Sequence, residues 1–184
     1  MDRRAFLLAS ASAALAAAGA PAVGRVGGAA GAAGAAARAA RQSRTRLVLL
    51  GTAGGPRPRK GRSAPAQVIV ANDAAYVVDC GNGVARQLAL AVVPLPSIRD
   101  VFVTHHHSDH NADYGTLLLL AWAAGLRTRV DTWGPPPLAR MTRLFFEMSD
   151  ADVEARIEDE ARVPLRPLVH AHELRGGGAV MRDD

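Results

Sequence analysis

Thr104-His105-His106-His107-Ser108-Asp109-His110 concentrates four of the six histidines of the chain in seven residues, with a carboxylate among them. Read as His-x-His-x-Asp-His, with His106 and Ser108 as spacers, it offers imidazole nitrogens and a carboxylate oxygen, the ligand types that hold zinc. In extended backbone, residues two apart point the same way, so His105 and His107 can converge on one point. Asp109 and His110 come as the chain turns towards the next helix, so they can face a second point nearby. A solvated polar loop is the alternative, but such a loop has no reason to carry the Asp at this spacing or to follow an apolar strand.

The flanking segments suit that role. Val101-Phe102-Val103 precedes the motif as the end of a strand over 99–103, and the polar turn Asn111-Ala112-Asp113 follows it. Tyr114 to Gly125 is apolar enough for a buried helix, with Gly125 placed to cap its C-terminus. Upstream, strands are expected at 46–50, 66–70 and 75–79. The last two are joined by the hairpin-type link Ala71-Asn72-Asp73-Ala74. Glycine turns follow at Gly51 and Gly81 and border the same cleft. Gly51-Thr52-Ala53-Gly54-Gly55-Pro56 lacks the Gly-Lys-Ser/Thr that a phosphate-cradling loop needs. Arg57 to Arg62 reads as a solvated basic loop. Val84 to Ala91 is expected to be a short helix, ended by Pro94 and Pro96. Downstream, a strand at 129–133 and two helices, 138–148 and 151–161, are expected, then short strands at 165–174 and 178–181. Strands first and strand–helix alternations after them indicate a sheet covered by helices, in the α/β or α+β class.

Charge is unevenly spread. The chain of 184 residues has a formal net charge of +5. The excess lies before residue 47, since residues 47–184 hold 15 basic and 16 acidic residues. Domain charge therefore gives no support for a nucleic-acid surface. The single cysteine, Cys80, excludes an internal disulfide.

Residues 1–22 read as an export signal. A twin-arginine start, Arg3-Arg4, precedes an Ala-rich apolar run, and Ala18-Gly19-Ala20 and Ala20-Pro21-Ala22 are small-x-small cleavage sites. The run is short and weakly apolar for a membrane span of about 20 residues, so no stable span is expected after cleavage. Residues 23–44 are Gly- and Ala-rich with scattered Arg, a flexible linker. The folded domain is expected over 45–184.

The histidine motif resembles the signature of the metallo-β-lactamase fold superfamily. Leu49-Leu50-Gly51-Thr52-Ala53-Gly54-Gly55-Pro56, Val78-Asp79-Cys80-Gly81, Asp109-His110-Asn111-Ala112-Asp113-Tyr114-Gly115 and Trp133-Gly134-Pro135-Pro136 look like its ribonuclease Z and arylsulfatase-like branch. The resemblance covers most of 45–184. It implies the N-terminal part of a four-layer αββα sandwich and a hydrolase that uses two zinc ions. By matching position, His105 and His107 would bind the first metal and Asp109 and His110 the second. Asp109 would also orient the water nucleophile or move its proton. The reaction implied is hydrolysis of a phosphodiester, sulfate ester or related bond in a small ester substrate, in the periplasm or outside the cell. RNA enters by family analogy alone, and a precursor tRNA would not meet an exported enzyme. Asp79 reads as an acceptor behind the ligand loop or as a plain strand-end turn.

The same resemblance implies further ligands, from later strands, that the sequence does not obviously supply. His170 and His172 are the only later histidines, and they read as polar positions on an exposed strand. Two readings therefore stand: the N-terminal part of an exported metallo-hydrolase, or a truncated, non-catalytic metal-binding remnant. With half a sandwich, one sheet face would lie uncovered, and 184 residues alone are expected to fold poorly or to need a partner.

Overall fold

The computed structural model describes residues 45–181. The expected signal peptide over 1–22 and linker over 23–44 lie outside the described residues. Six strands form one sheet in sequence order: β1 (Arg46–Gly51), β2 (Ala66–Ala71), β3 (Ala74–Val78), β4 (Ile98–Phe102), β5 (Val130–Gly134) and β6 (Val169–Glu173). Pairing is antiparallel through β3 and parallel from β3 to β6. The change of sense follows from the connections. β2 and β3 are joined by two residues, Asn72 and Asp73, both left-handed with φ of 48° and 65°. Asn and Asp tolerate that conformation, which suits a two-residue hairpin turn. The later strands are joined through helices α1 (Val84–Leu90), α2 (Ser108–Asn111), α3 (Tyr114–Ala123) and α4 (Leu138–Glu160), long enough to return the chain to the start of a parallel neighbour.

One sheet face carries the core. Val68, Val77, Val101 and Val130 pack against Val84 and Leu88 of α1, Leu117, Leu118 and Ala121 of α3, and Leu138 of α4. Trp122, Phe146, Val153 and Leu165 form a second cluster, and Trp122 Nε1 donates to the Val163 carbonyl at 2.7 Å. Gly125 ends α3 at φ 106°, as its position in the sequence suggested. The other face follows the pleat. Register aligns Leu47, Ile69 and Tyr76 in one row and Leu49, Gln67, Val78, Phe102 and Trp133 in the next. Leu47 and Leu49 are 60% and 63% exposed there. The described residues thus form a sheet with helices on one face and an apolar patch on the other.

Three expectations of the sequence are corrected. The two helices expected over 138–148 and 151–161 are one helix, Leu138–Glu160, of 23 residues. The polar Ser149-Asp150 suggested a break, but neither residue removes a backbone hydrogen bond, and Ser149 is buried on the stripe Leu138, Thr142, Phe146, Ser149, Val153. Residues 178–181 form no strand. The last bond continuing the β6 edge is from the Leu174 amide to the Gly134 carbonyl at 2.8 Å, and three glycines follow. β6 is also shorter than expected, because Arg166–Leu168 is a 3-10 turn around Pro167, which has no N–H to donate. Among the described residues, no helix is long and apolar enough to cross a membrane.

At the β5–β6 edge, Asp131 accepts two hydrogen bonds from Arg129, at 2.6 and 2.7 Å, and pairs with His172 at 2.6 Å. Arg129 foremost, with His172, holds its carboxyl down at about 2. A depressed carboxylate stabilises the fold above its unfolded value and loses that contribution as pH falls through its folded value. Wild-type stability is therefore expected to drop between about pH 4 and pH 2. Asp131→Asn should flatten this part of the acid unfolding curve, followed by circular dichroism.

Candidate metal centre

β1 and β3 run parallel to β4, so the chain leaves all three at the same end of the sheet. In open sheets that end is where ligands bind. The loops after β1, β3, β4 and β5 meet there. After Phe102 the Val103 amide still bonds to the Trp133 carbonyl at 2.7 Å, and the chain then leaves the sheet into the histidine motif.

Asp79, at the end of β3, organises the motif. It accepts from the Thr104 amide at 2.8 Å, from the Thr104 hydroxyl at 2.9 and 3.0 Å, and from His110 Nδ1 at 2.7 Å. It is 5% exposed and sits at a left-handed φ of 62°. Of the two sequence readings of Asp79, the geometry is that of an acceptor behind the ligand loop. Bonding Nδ1 of His110 to a carboxylate leaves Nε2 as the open lone pair, the arrangement that presents a metal-ligating histidine.

The four motif side chains, grouped by the sequence as His105 with His107 and Asp109 with His110, lie together, with the His105 ring against both His107 and His110. His105 Nε2 and His107 Nδ1 face each other at 3.1 Å, with ring centroids 4.8 Å apart. Two nitrogens on one tetrahedral zinc, at 2.0–2.1 Å each, lie roughly 3.3 Å apart, so this spacing fits one edge of a zinc site. His105 Nδ1 is taken by the Thr104 hydroxyl at 3.0 Å, which turns Nε2 inward. Asp109 Oδ2 and His110 Nε2 are 3.6 Å apart, and the His105 and His110 rings lie 4.1 Å apart. Asp109 also accepts from the Gly55 amide at 2.8 Å. Partial desolvation pushes its carboxyl up, but the Gly55 and own-backbone N–H groups, with His110 and His107 nearby, together hold it below the usual carboxylate range. Asp109 is therefore an anion at neutral pH. Each pair supplies two donors. Among the described residues, no three or more His, Cys, Asp or Glu side chains close around one point as a complete metal site.

His170 and His172 are not brought to the motif. His170 is exposed on β6, and His172 is bonded to Asp131 and stacked on Trp133 with ring centroids 4.1 Å apart. The sequence reading missed several supports. Thr104 holds both Asp79 and His105. Asp113 accepts from the Gly83 amide at 2.7 Å, and its own amide bonds to the Cys80 carbonyl at 2.9 Å. His106, passed over as a spacer, bonds to Pro135 and Asn111. None of these is local in sequence except Thr104, whose position just before the first histidine was a usable signal.

The basic loop is solvated, as expected, and it also borders a cleft. Arg57, Arg59 and Arg62, with Arg86 of α1, line a cleft of about 260 Å³ that reaches Asp109, the only acidic residue in its wall. Among the described residues, none of these four arginines has a carboxylate partner at ion-pair distance, whereas Arg129, Arg143, Arg156, Arg162 and Arg166 do. The cleft beside the motif is cationic.

Comparison with known proteins agrees with this architecture. The chain matches the family model described as "Metallo-beta-lactamase superfamily" over residues 60–181. It is 32% identical over 140 residues to a ribonuclease Z of Mycobacterium bovis, covering 74% of this chain and 50% of that protein. It is 33% identical over 135 residues to one from a Mycobacterium species, covering 72% and 47%. The chain thus spans about half the length of the curated relatives it matches. Among solved structures, human tRNase Z, short form, superposes with a TM-score of 0.53 at 25% identity, covering 69% of this chain and 44% of that one. A long form RNase Z from yeast gives 0.57 at 12% identity, covering 72% and 18%, a likeness of fold. The chain belongs to the metallo-beta-lactamase superfamily.

Proposed function

We propose that this chain carries the first half of a divalent-metal hydrolase site, with His105 and His107 holding one zinc and Asp109 and His110 a second. The facing of His105 Nε2 and His107 Nδ1 at a zinc-edge spacing is the observation that supports this most. Members of the superfamily usually bind divalent metals. When bound, such a pair of cations makes a water nucleophile available at neutral pH and offsets charge developing on ester oxygens. The remaining work falls to residues of the chain. Asp109, anionic and fixed by Gly55, orients that water and takes its proton. Asp79 and Thr104 hold the histidine rings at their working tautomers.

The unpaired arginines beside Asp109 favour an anionic ester, a phosphodiester or sulfate ester, over a neutral amide. Similarity to proteins named ribonuclease Z makes RNA one member of that class. The near-neutral charge of residues 47–184 favours a smaller substrate. With the twin-arginine leader, the reading is of an enzyme that loads metal, folds and is then exported to the periplasm or beyond.

The test is turnover of bis-p-nitrophenyl phosphate and p-nitrophenyl sulfate by the full chain with added zinc. Hydrolysis abolished by chelator, and lowered by about 100-fold or more in Asp109→Ala, is expected. A second reading, a metal-binding chain without catalysis, is favoured by the absence of a complete three-ligand cluster among the described residues. One weakly held zinc and no turnover would decide for it.

A further inference from the structure

His106 lies between two residues of the motif, yet its ring takes no part in either donor pair. In extended backbone, His105 and His107 share one side and His106 points to the other. There its Nε2 meets the Pro135 carbonyl at 2.8 Å, and its Nδ1 meets Asn111 Nδ2 at 3.2 Å. A carbonyl only accepts and an amide nitrogen only donates, so the ring carries its hydrogen on Nε2 and accepts at Nδ1. Both nitrogens are engaged, and the ring is held at both ends.

These two bonds tie the motif to separate elements. Pro135 belongs to the loop between β5 and α4, and it follows directly on β5, whose Trp133 carbonyl accepts from the Val103 amide just before the motif. Asn111 is the last residue of α2, the short helix that carries Asp109 and His110. The first bond sets which way the His105–His107 side faces the sheet. The second reaches from that strand-like stretch to the helix bearing the other pair.

We propose that His106 is a positioning residue that fixes the two donor pairs relative to each other, by clasping the β5–α4 loop with one ring nitrogen and α2 with the other. This rests on the metal-site reading above. A filler side chain would leave the metals' coordination unchanged when replaced, whereas a clasp would not.

Cobalt(II) added to the metal-free full chain reads the difference, because its visible absorption reports coordination geometry. His106→Ala is expected to bind cobalt about 10- to 100-fold more weakly, the usual effect of losing an outer partner of a metal site, with altered band positions and intensity. Asn111→Ala cuts only one of the two bonds and should shift the same bands less. His106→Gln restores a donor to the Pro135 carbonyl and should recover part of the affinity. If His106→Ala does not fold, Asn111→Ala and His106→Gln carry the test. Wild-type affinity and spectrum in the variants that fold would overturn the proposal and leave the metal reading intact. A wild-type chain that takes up no cobalt would overturn both. Independently of metal, long-range proton–nitrogen NMR of the metal-free chain should show the Nε2–H tautomer at His106. The Nδ1–H tautomer would contradict the clasp.

Discussion

Asp79→Ala is expected to lower the unfolding free energy by about 3 kcal/mol and divalent-metal affinity by about 10- to 100-fold. The carboxylate is 5% exposed and receives the Thr104 amide, the Thr104 hydroxyl and His110 Nδ1. Truncation strands these donors in a partly buried place, at about 1–3 kcal/mol for a group left without a partner. Alanine also tolerates the left-handed backbone at Asp79 less well than Asp does, at a cost of about 1 kcal/mol. Asp79→Asn separates stability from chemistry. Asn accepts the backbone conformation and keeps one oxygen for Thr104. Its amide group, however, would face His110 Nδ1 as a donor. His110 would then accept at Nδ1 and carry its hydrogen on Nε2, the nitrogen that must be open for metal. Asp79→Asn is therefore expected to stay within about 1.5 kcal/mol of wild type while losing as much metal affinity as the alanine variant. Urea unfolding and competition against a chromophoric chelator measure the two effects. Equal affinity for Asp79→Asn and wild type would remove the role of Asp79 in setting the His110 tautomer.

Gly81→Ala is the second large effect. A Cβ at this position would overlap the Asp109 backbone oxygen and lie 2.7 Å from both the Pro65 carbonyl oxygen and the Ala64 Cβ. Backbone surrounds it, so no side chain can swing away. The Gly81 amide bonds to Pro65 on one side, and the neighbouring Cys80 amide bonds to the His110 carbonyl on the other. The strain must move either the β1–β2 loop or α2, and α2 carries Asp109 and His110. A loss of about 3 kcal/mol is expected, with weaker metal binding in whatever fraction folds. Gly176→Ala, with nothing within 4 Å of its Cβ, is the control and should fall within about 0.5 kcal/mol of wild type. Thermal melts of the three proteins compare them directly.

The parts of this site that sequence made legible are those whose information is local. His105, His107, Asp109 and His110 could be singled out because spacing along an extended chain and into a turn already fixes which side chains can meet. The turn after β3 could be placed because Gly81 follows that strand, whereas Gly51 ends β1 itself, and the cleft is lined by Gly55 and Gly83 instead. The continuous apolar run Leu47-Val48-Leu49-Leu50 placed β1, and the apolar run after Asp113 placed α3. What was not legible depends on partners far along the chain. His106 looked like a spacer because Pro135 is 29 residues away. The continuity of α4 was hidden by Ser149, whose burial comes from packing rather than from its type. Arg57 to Arg62 were legible as a solvated loop, but sequence does not reveal that Arg86 and Asp109 line a cleft with them. The uncovered sheet face was foreseeable from the family resemblance. Leu47 and Leu49 now give it residues.

The most direct test of the account is the zinc content of the full chain after loading and dialysis, compared with a His105→Ala/His107→Ala variant of equal circular dichroism. If the facing imidazoles hold metal, wild type retains zinc, and the double variant binds it at least about 100-fold more weakly. Wild-type protein that retains no zinc, or a double variant that retains as much as wild type, would contradict the assignment of the motif as the metal centre.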